Sequence, residues 1–262
     1  MSDEVDSIRE QYMFQETERP GELFPLDTHQ IIFSRYRFAS QFVRNKRVLE
    51  VGCGSGYGVE LFKNIASFYV AGEYSDQNIA YIQRKYEEKV VKIDAHHLPF
   101  AANTFETVVA LAMIYYLDLS CFAEEACRVL AANGVLFFCT SNKDIPGFVK
   151  SPYTTRYYSI PELKDVLSQQ GFEVEFYGAF PAAGSNYFVR KARAMVKTVC
   201  KKIIRVLPYG KKLWQYFRKS SQGELYPLPD KIPEMVVNIE KLPDDKVDKN
   251  YRIIYVKCIK RG

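Results

Sequence analysis

Residues 50–58, Glu-Val-Gly-Cys-Gly-Ser-Gly-Tyr-Gly, place one carboxylate and four glycines within nine positions. Glycine at this density lets the backbone turn through positive φ and lets a ligand approach main-chain N–H groups closely. The run follows the apolar stretch Arg47–Val51 and precedes a helical pattern at 59–66. Nucleotide-binding α/β folds hold their ligand at such a strand–loop–helix junction. The spacing here is G-x-G-x-G. The dinucleotide fingerprint G-x-G-x-x-G would need a glycine where Tyr57 or Val59 stands.

That difference bears on the ligand. A pyrophosphate seeks the N-terminus of a helix. A sulfonium amino acid has no phosphate, but it has a positive sulfur, an amine and a carboxylate. An acid beside the loop then becomes useful, and Glu50 is placed to meet the amine directly or through water. Glu73 lies 21 residues beyond Gly52, about the interval at which an acid hydrogen-bonds ribose hydroxyls. Asp94 ends a third apolar run. It can accept from an adenine amino group, while the Ala95 N–H can reach a ring nitrogen.

The elements that must position these groups follow from periodicity. Helical spacing predicts a helix over 27–45, capped by Asp27 or Thr28. Strands are predicted at Arg47–Val51, Phe68–Glu73, 90–93, 107–113, 135–140, 173–180 and 252–259. Helices are predicted at 59–66, 75–88 and 120–130, and from a Ser159-x-x-Glu162 capping box to Gln170. Short apolar strands alternating with helices imply a mostly parallel sheet covered on both faces. Residues 1–20 are polar and read as mobile. The division predicted is an N-terminal segment and helix (1–46), a core (47–180), an inserted segment (181–250) and a last core strand (251–262).

Val48–Tyr57, Ala71–Ser75, Asp94–Phe100, Asn103–Glu106 and Arg128–Val135 together resemble class I S-adenosylmethionine-dependent methyltransferases. The likeness runs from Arg47 to Phe180 and returns at the last strand. It implies a Rossmann-like sheet of seven strands with the last antiparallel to the rest. It also implies that Glu50 and the loop of Gly52, Cys53, Gly54 and Gly56 hold the methionine end of S-adenosylmethionine. Glu73 would hold the ribose, Asp94 and Ala95 the adenine, and the Ala110 carbonyl the amine. Glu73 and Glu106 stand where aspartate is usual, so both carboxylates are kept. Tyr57 shapes the cofactor pocket.

Methyl transfer is an in-line displacement that depends on positioning. A base is needed only when the nucleophile must lose a proton. Tyr115 and Tyr116 follow the fourth strand, on the side of the transferable methyl in the family geometry, and are the candidate catalytic residues; core cover is their alternative. His96 and His97 fall beside the adenine, which favours a structural role. Asn142, Lys143 and Asp144 are open to acceptor contact or simple solvation. The loop 151–158, rich in tyrosine and hydroxyls, suits a sugar or another polar ring, or ordinary packing.

The net charge of +5 is uneven. Residues 181–220 hold 11 Lys or Arg and no acid, leaving 25 bases against 31 acids elsewhere. Residues 188–207 read as an amphipathic helix, making the insertion a basic helical one. It is open to an anionic membrane surface, a nucleic acid or packing with a solvated basic face. A uniformly basic nucleic-acid binder would look different. The six cysteines show no C-x-x-C spacing, so neither a metal site nor a disulfide framework is expected. The opening residues lack the apolar core of a secretory signal. A cytoplasmic location, peripheral to membrane if the insertion binds one, is expected. The acceptor expected is a small molecule or glycan, methylated at oxygen. RNA methylation and non-catalytic S-adenosylmethionine binding are the alternatives. The intact loop and three acids oppose the last, and the lack of an RNA-binding module or an amine-methylation motif opposes the first.

Overall fold

The computed structural model describes residues 17–151, 153–182 and 224–262. A two-residue strand, β1 (Leu23–Phe24), leads into α1 (Leu26–Val43). The expected caps Asp27 and Thr28 lie inside this helix: its N-cap is Pro25, with no side-chain cap. The Pro25 carbonyl accepts from the Thr28 and His29 N–H groups, while Asp27 pairs with Arg252 at 3.2 Å.

Next come β2 (Arg47–Val51), α2 (Tyr57–Phe62), β3 (Phe68–Glu73), α3 (Asp76–Tyr86), β4 (Val90–Lys92) and β5 (Phe105–Leu111). They are followed by α4 (Leu119–Val129), β6 (Leu130–Ser141), α5 (Ile160–Gln169) and β7 (Phe172–Pro181). After the undescribed stretch come β8 (Tyr226–Pro227), β9 (Ile239–Leu242) and β10 (Tyr251–Lys260). The helix starts follow cap chemistry. Ser75 accepts from the Asn78 N–H, Asp118 from Ser120 and Cys121, and Ser159 with Glu162 forms the expected capping box.

The main sheet has the order β4-β3-β2-β5-β6-β10-β7-β9. β2 to β6 run parallel, and β10 enters antiparallel between β6 and β7. Eight strands stand where seven were expected. The extra one, β9, pairs antiparallel with β7 at the edge and comes from the segment read as a helical insertion. β8 pairs with β1. The amphipathic stretch 188–207 lies outside the described residues.

Alternation along the strands builds two cores. Val48, Val109, Phe137 and Tyr255 pack under α1 with Ile32, Tyr36 and Phe38. Leu49, Val108, Ala110, Phe138 and Val256 face α4 and α5 with Phe122, Ala126 and Leu163. A period of two sends neighbouring strand residues to opposite faces. A buried hydrogen bond of 2.7 Å between the Ser34 and Tyr255 hydroxyls ties α1 to β10.

Candidate active site

From β2 the chain steps outward to β3 and β4, then crosses to β5 on the other side of β2. Open α/β sheets bind ligands at the carboxyl ends around such a reversal. A cavity of about 270 Å³ lies there, near the lower end of the ~300–1,000 Å³ range of small-molecule sites. The strand order sets its layout. Asp94 and Ala95 follow β4, Glu73 ends β3, Gly52 to Ser55 follow β2, and Leu111 to Met113 leave β5; all line the cavity.

Glu73 organises the centre. One carboxylate oxygen accepts from the Gly54 N–H at 2.8 Å. The other accepts from the Tyr74 and Ser75 N–H groups, both at 2.9 Å. Burial raises its pKa above the ordinary value, opposed by these bonds and one from the Asn78 side chain. The carboxylate therefore fixes the glycine loop while facing the cavity. Gly56 does not line the cavity. It precedes α2 with φ +85°, and a Cβ there would stand 2.6 Å from the Tyr86 ring.

Glu50 is placed differently from the sequence expectation. It is buried but does not line the cavity. It shares a sheet face with Val48, so its carboxyl lies beneath α2. There it accepts from the Tyr69 hydroxyl and occupies the space a Cβ of Gly58 would need. The reason is strand alternation: the cavity lies beyond the end of β2, not beside its face.

Asp94 lines the cavity in an exposed position, while Ala95 is buried. The Asp94 carboxylate accepts from the His96 N–H and from His96 Nδ1, each at 2.9 Å. Partial burial would raise its pKa, but these His96 contacts prevail and hold it below the ordinary value. His96 Nε2 accepts from the Asp118 N–H at 3.0 Å. Both ring nitrogens of His96 are therefore engaged. Arg128, paired with Glu125, donates to the Leu98 and Phe100 carbonyls and clasps this loop to α4.

At the other end, Tyr115 and Tyr116 lie on a 3₁₀ turn, Ile114–Tyr116, and both line the cavity. Tyr115 stacks on Tyr157 with ring centroids 4.9 Å apart, and its carbonyl accepts from the Thr155 N–H. Burial pushes its hydroxyl well above the ordinary phenol range, so it does not ionise near neutral pH. Ala110 lies outside the cavity wall. β5 runs on to Leu111, and Ala110 is fully buried against α4.

The other sequence candidates fall elsewhere. Asn142 is buried and bonds Asp248 and Tyr251, and Lys143 pairs with Glu162 at 2.8 Å. In the loop 151–158, Arg156 sits over the Tyr158 ring and pairs with Glu162. That loop buttresses Tyr115 and does not line the cavity.

Sequence reasoning missed one wall altogether. Thr17 and Glu18 line the cavity together with Ile32, Arg35 and Tyr36 of α1. The segment read as mobile packs here from Thr17 onward. Thr17 approaches the glycine loop at Gly54 and takes a hydrogen bond from Asn78. Arg35 is buried and pairs with Glu18 at 3.0 Å. Arg35, set between the apolar residues of α1, was the available signal, since a buried guanidinium requires a partner.

The donor set fits a sulfonium nucleoside. Glycine-loop N–H groups suit its carboxylate, Glu73 a ribose diol, and Asp94 with Ala95 an adenine. Residues 49–138 match the family model described as a methyltransferase domain. A probable S-adenosylmethionine-dependent methyltransferase of Mycolicibacterium smegmatis is 27% identical over 71% of this chain and 74% of its own. One from Mycobacterium tuberculosis is 30% identical over 58% of this chain. The chain spans 57% of that relative's length. A solved SAM-dependent methyltransferase from Archaeoglobus fulgidus superposes with a TM-score of 0.57 at 15% identity, covering 88% of this chain and 94% of that one.

Residues 49–138 thus carry a methyltransferase domain, and the chain is similar to S-adenosylmethionine-dependent methyltransferases over that domain and beyond it. Its cofactor is S-adenosylmethionine, which supplies the activated methyl group. Among the described residues, no helix is long and apolar enough to cross a membrane.

Proposed function

We propose that this methyltransferase acts on a hydroxyl oxygen of a small molecule or glycan. The observation that carries the reading is the wall that Thr17 and Glu18 add to the cavity, tied to α3 through Asn78 and to α1 through Arg35. A small acceptor fits behind such a wall, whereas a base within a folded nucleic acid would have to displace it. The cofactor would lie from Asp94 to the glycine loop, with its methyl group toward Tyr115 and Tyr116. The chain's part is to orient donor and acceptor and to keep water out; the cofactor supplies the leaving group.

Labelled methyl donor incubated with the protein and fractionated cell extract tests this. Label is expected in low-molecular-weight or glycan fractions, in a linkage stable as an ether. Label confined to nuclease-sensitive material would overturn the reading in favour of RNA.

A further inference from the structure

The proposed methyl-transfer reading leaves open what removes the acceptor's proton. Tyr115 is held in its neutral form by burial. His96 has both nitrogens engaged at the adenine end. A third polar group stands at the acceptor end and was assigned no role: Glu18. It lines the cavity in company with Tyr36, Tyr57, Tyr115 and Tyr116.

The carboxylate is held from one side only. Its Oε1 accepts from Arg35 Nη2 at 3.0 Å, and Arg35 is anchored in turn by its Nε–H to the Ile32 carbonyl at 3.3 Å. Among the described residues, no hydrogen bond to the second oxygen is formed. Three tyrosines feel the Glu18 charge. It adds to burial in raising the hydroxyls of Tyr36, Tyr57 and Tyr115, all of which line the same cavity. Their hydroxyls are poor bases in that state. Arg35 is always charged, so it fixes Glu18 without itself accepting a proton.

The wall around Glu18 also selects the acceptor. Four tyrosine rings and the Ile32 side chain form its sides, and three of these residues are nearly withdrawn from solvent: Ile32, Tyr36 and Tyr57. The Tyr57 hydroxyl is already used on the Pro229 carbonyl at 2.8 Å, and its ring packs against Phe33 and Tyr36, so that residue backs the wall. Flat aromatic faces favour an aromatic partner in stacked or edge contact.

We infer that Glu18, held by Arg35, is the general base for an aromatic hydroxyl acceptor bound between the cavity tyrosines. This rests on the methyl-transfer reading above and narrows its acceptor to a phenol. In the step, the acceptor oxygen bonds to the methyl carbon as the carbon–sulfur bond breaks. Sulfur keeps that electron pair and becomes a neutral thioether, and the phenolic proton passes to the Glu18 carboxylate.

The test uses the full chain, labelled methyl donor and two probes: phenol and 4-nitrophenol. At mildly alkaline pH the nitrophenol is largely ionised and needs no base, whereas phenol does. The parent protein is expected to methylate both. Glu18→Gln should lower transfer to phenol about a hundredfold or more, the usual share of a general base, and transfer to nitrophenol only a few-fold. Donor affinity by calorimetry should stay unchanged. Equal losses on both probes would make Glu18 a structural residue and overturn the proposal. So would no loss at all, or weakened donor binding in the variant. A parent that binds donor yet methylates neither phenol would refute the acceptor class. A parent that fails to bind donor would bring down the methyl-transfer reading itself, and this proposal with it.

Discussion

Replacing Glu73 by Ala should weaken binding of S-adenosylmethionine and of its demethylated product about ten- to a hundredfold. That range corresponds to ~1.5–3 kcal/mol for a hydrogen bond to a charged group, at tenfold per ~1.4 kcal/mol. Two losses add. The ligand's diol loses its acceptor, and the N–H groups of Gly54, Tyr74 and Ser75 lose theirs. The second loss loosens the loop before any ligand arrives, so the melting temperature of the free protein should fall as well. Glu73→Gln should sit between parent and Ala. Its amide keeps one acceptor oxygen, but it turns a donor toward N–H groups that need an acceptor. Isothermal calorimetry with both ligands decides it; unchanged affinity in Glu73→Ala would remove this carboxylate from the cofactor site.

What the sequence revealed of the fold depended on local signals. β3 was read with its observed bounds because the apolar run from Phe68 to Gly72 ends at the charged Glu73, just before the Ser75 cap. The ends of β5 were misjudged by two residues at each side, since Phe105 and Met113 are both apolar and hydropathy alone does not mark where pairing stops. β9 was not foreseen. Its four residues, Ile239–Leu242, carry two charges and fell within the segment read as a basic helical insertion; pairing with β7 makes the strand.

The site divided along the same line. Groups fixed by strand ends and the glycine loop could be placed from spacing, because each lies at the carboxyl end of a neighbouring parallel strand. Glu18 and Arg35 could not. They are joined across 17 positions by a packing event between a polar N-terminal segment and α1, and no periodicity reports such a meeting. Glu50 illustrates a different limit. Its position in the motif was plain, yet strand alternation turns its side chain away from the cavity, beneath α2.

That buried position gives Glu50 a measurable consequence. Burial is the largest influence on its carboxyl, with the neighbouring Glu73 acting in the same direction and the Tyr69 hydrogen bond opposing. Together they raise the pKa from its ordinary 4.5 to about 7. Below pH 4.5 both folded and unfolded chains hold the proton, and Glu50 costs nothing through ionisation. Between 4.5 and 7 the unfolded chain releases it while the folded chain retains it. The unfolded state then binds fewer protons, so stability falls as pH rises. Above 7 the loss is complete, about 3 kcal/mol at ~1.4 kcal/mol for each pH unit. Glu162 and Glu175 are held down at about 2 by their lysine, arginine and backbone partners against some burial. Their stabilisation is lost only as pH falls from 4.5 toward 2, a separate window. Glu50→Gln keeps the shape and the capacity to accept from Tyr69 but cannot ionise. Denaturant melts of parent and variant at intervals from pH 5 to 8 should therefore diverge, with the variant gaining on the parent as pH rises. Parallel curves across that range would show that Glu50 ionises as freely in the folded chain as in water, and that the space beneath α2 is open to solvent.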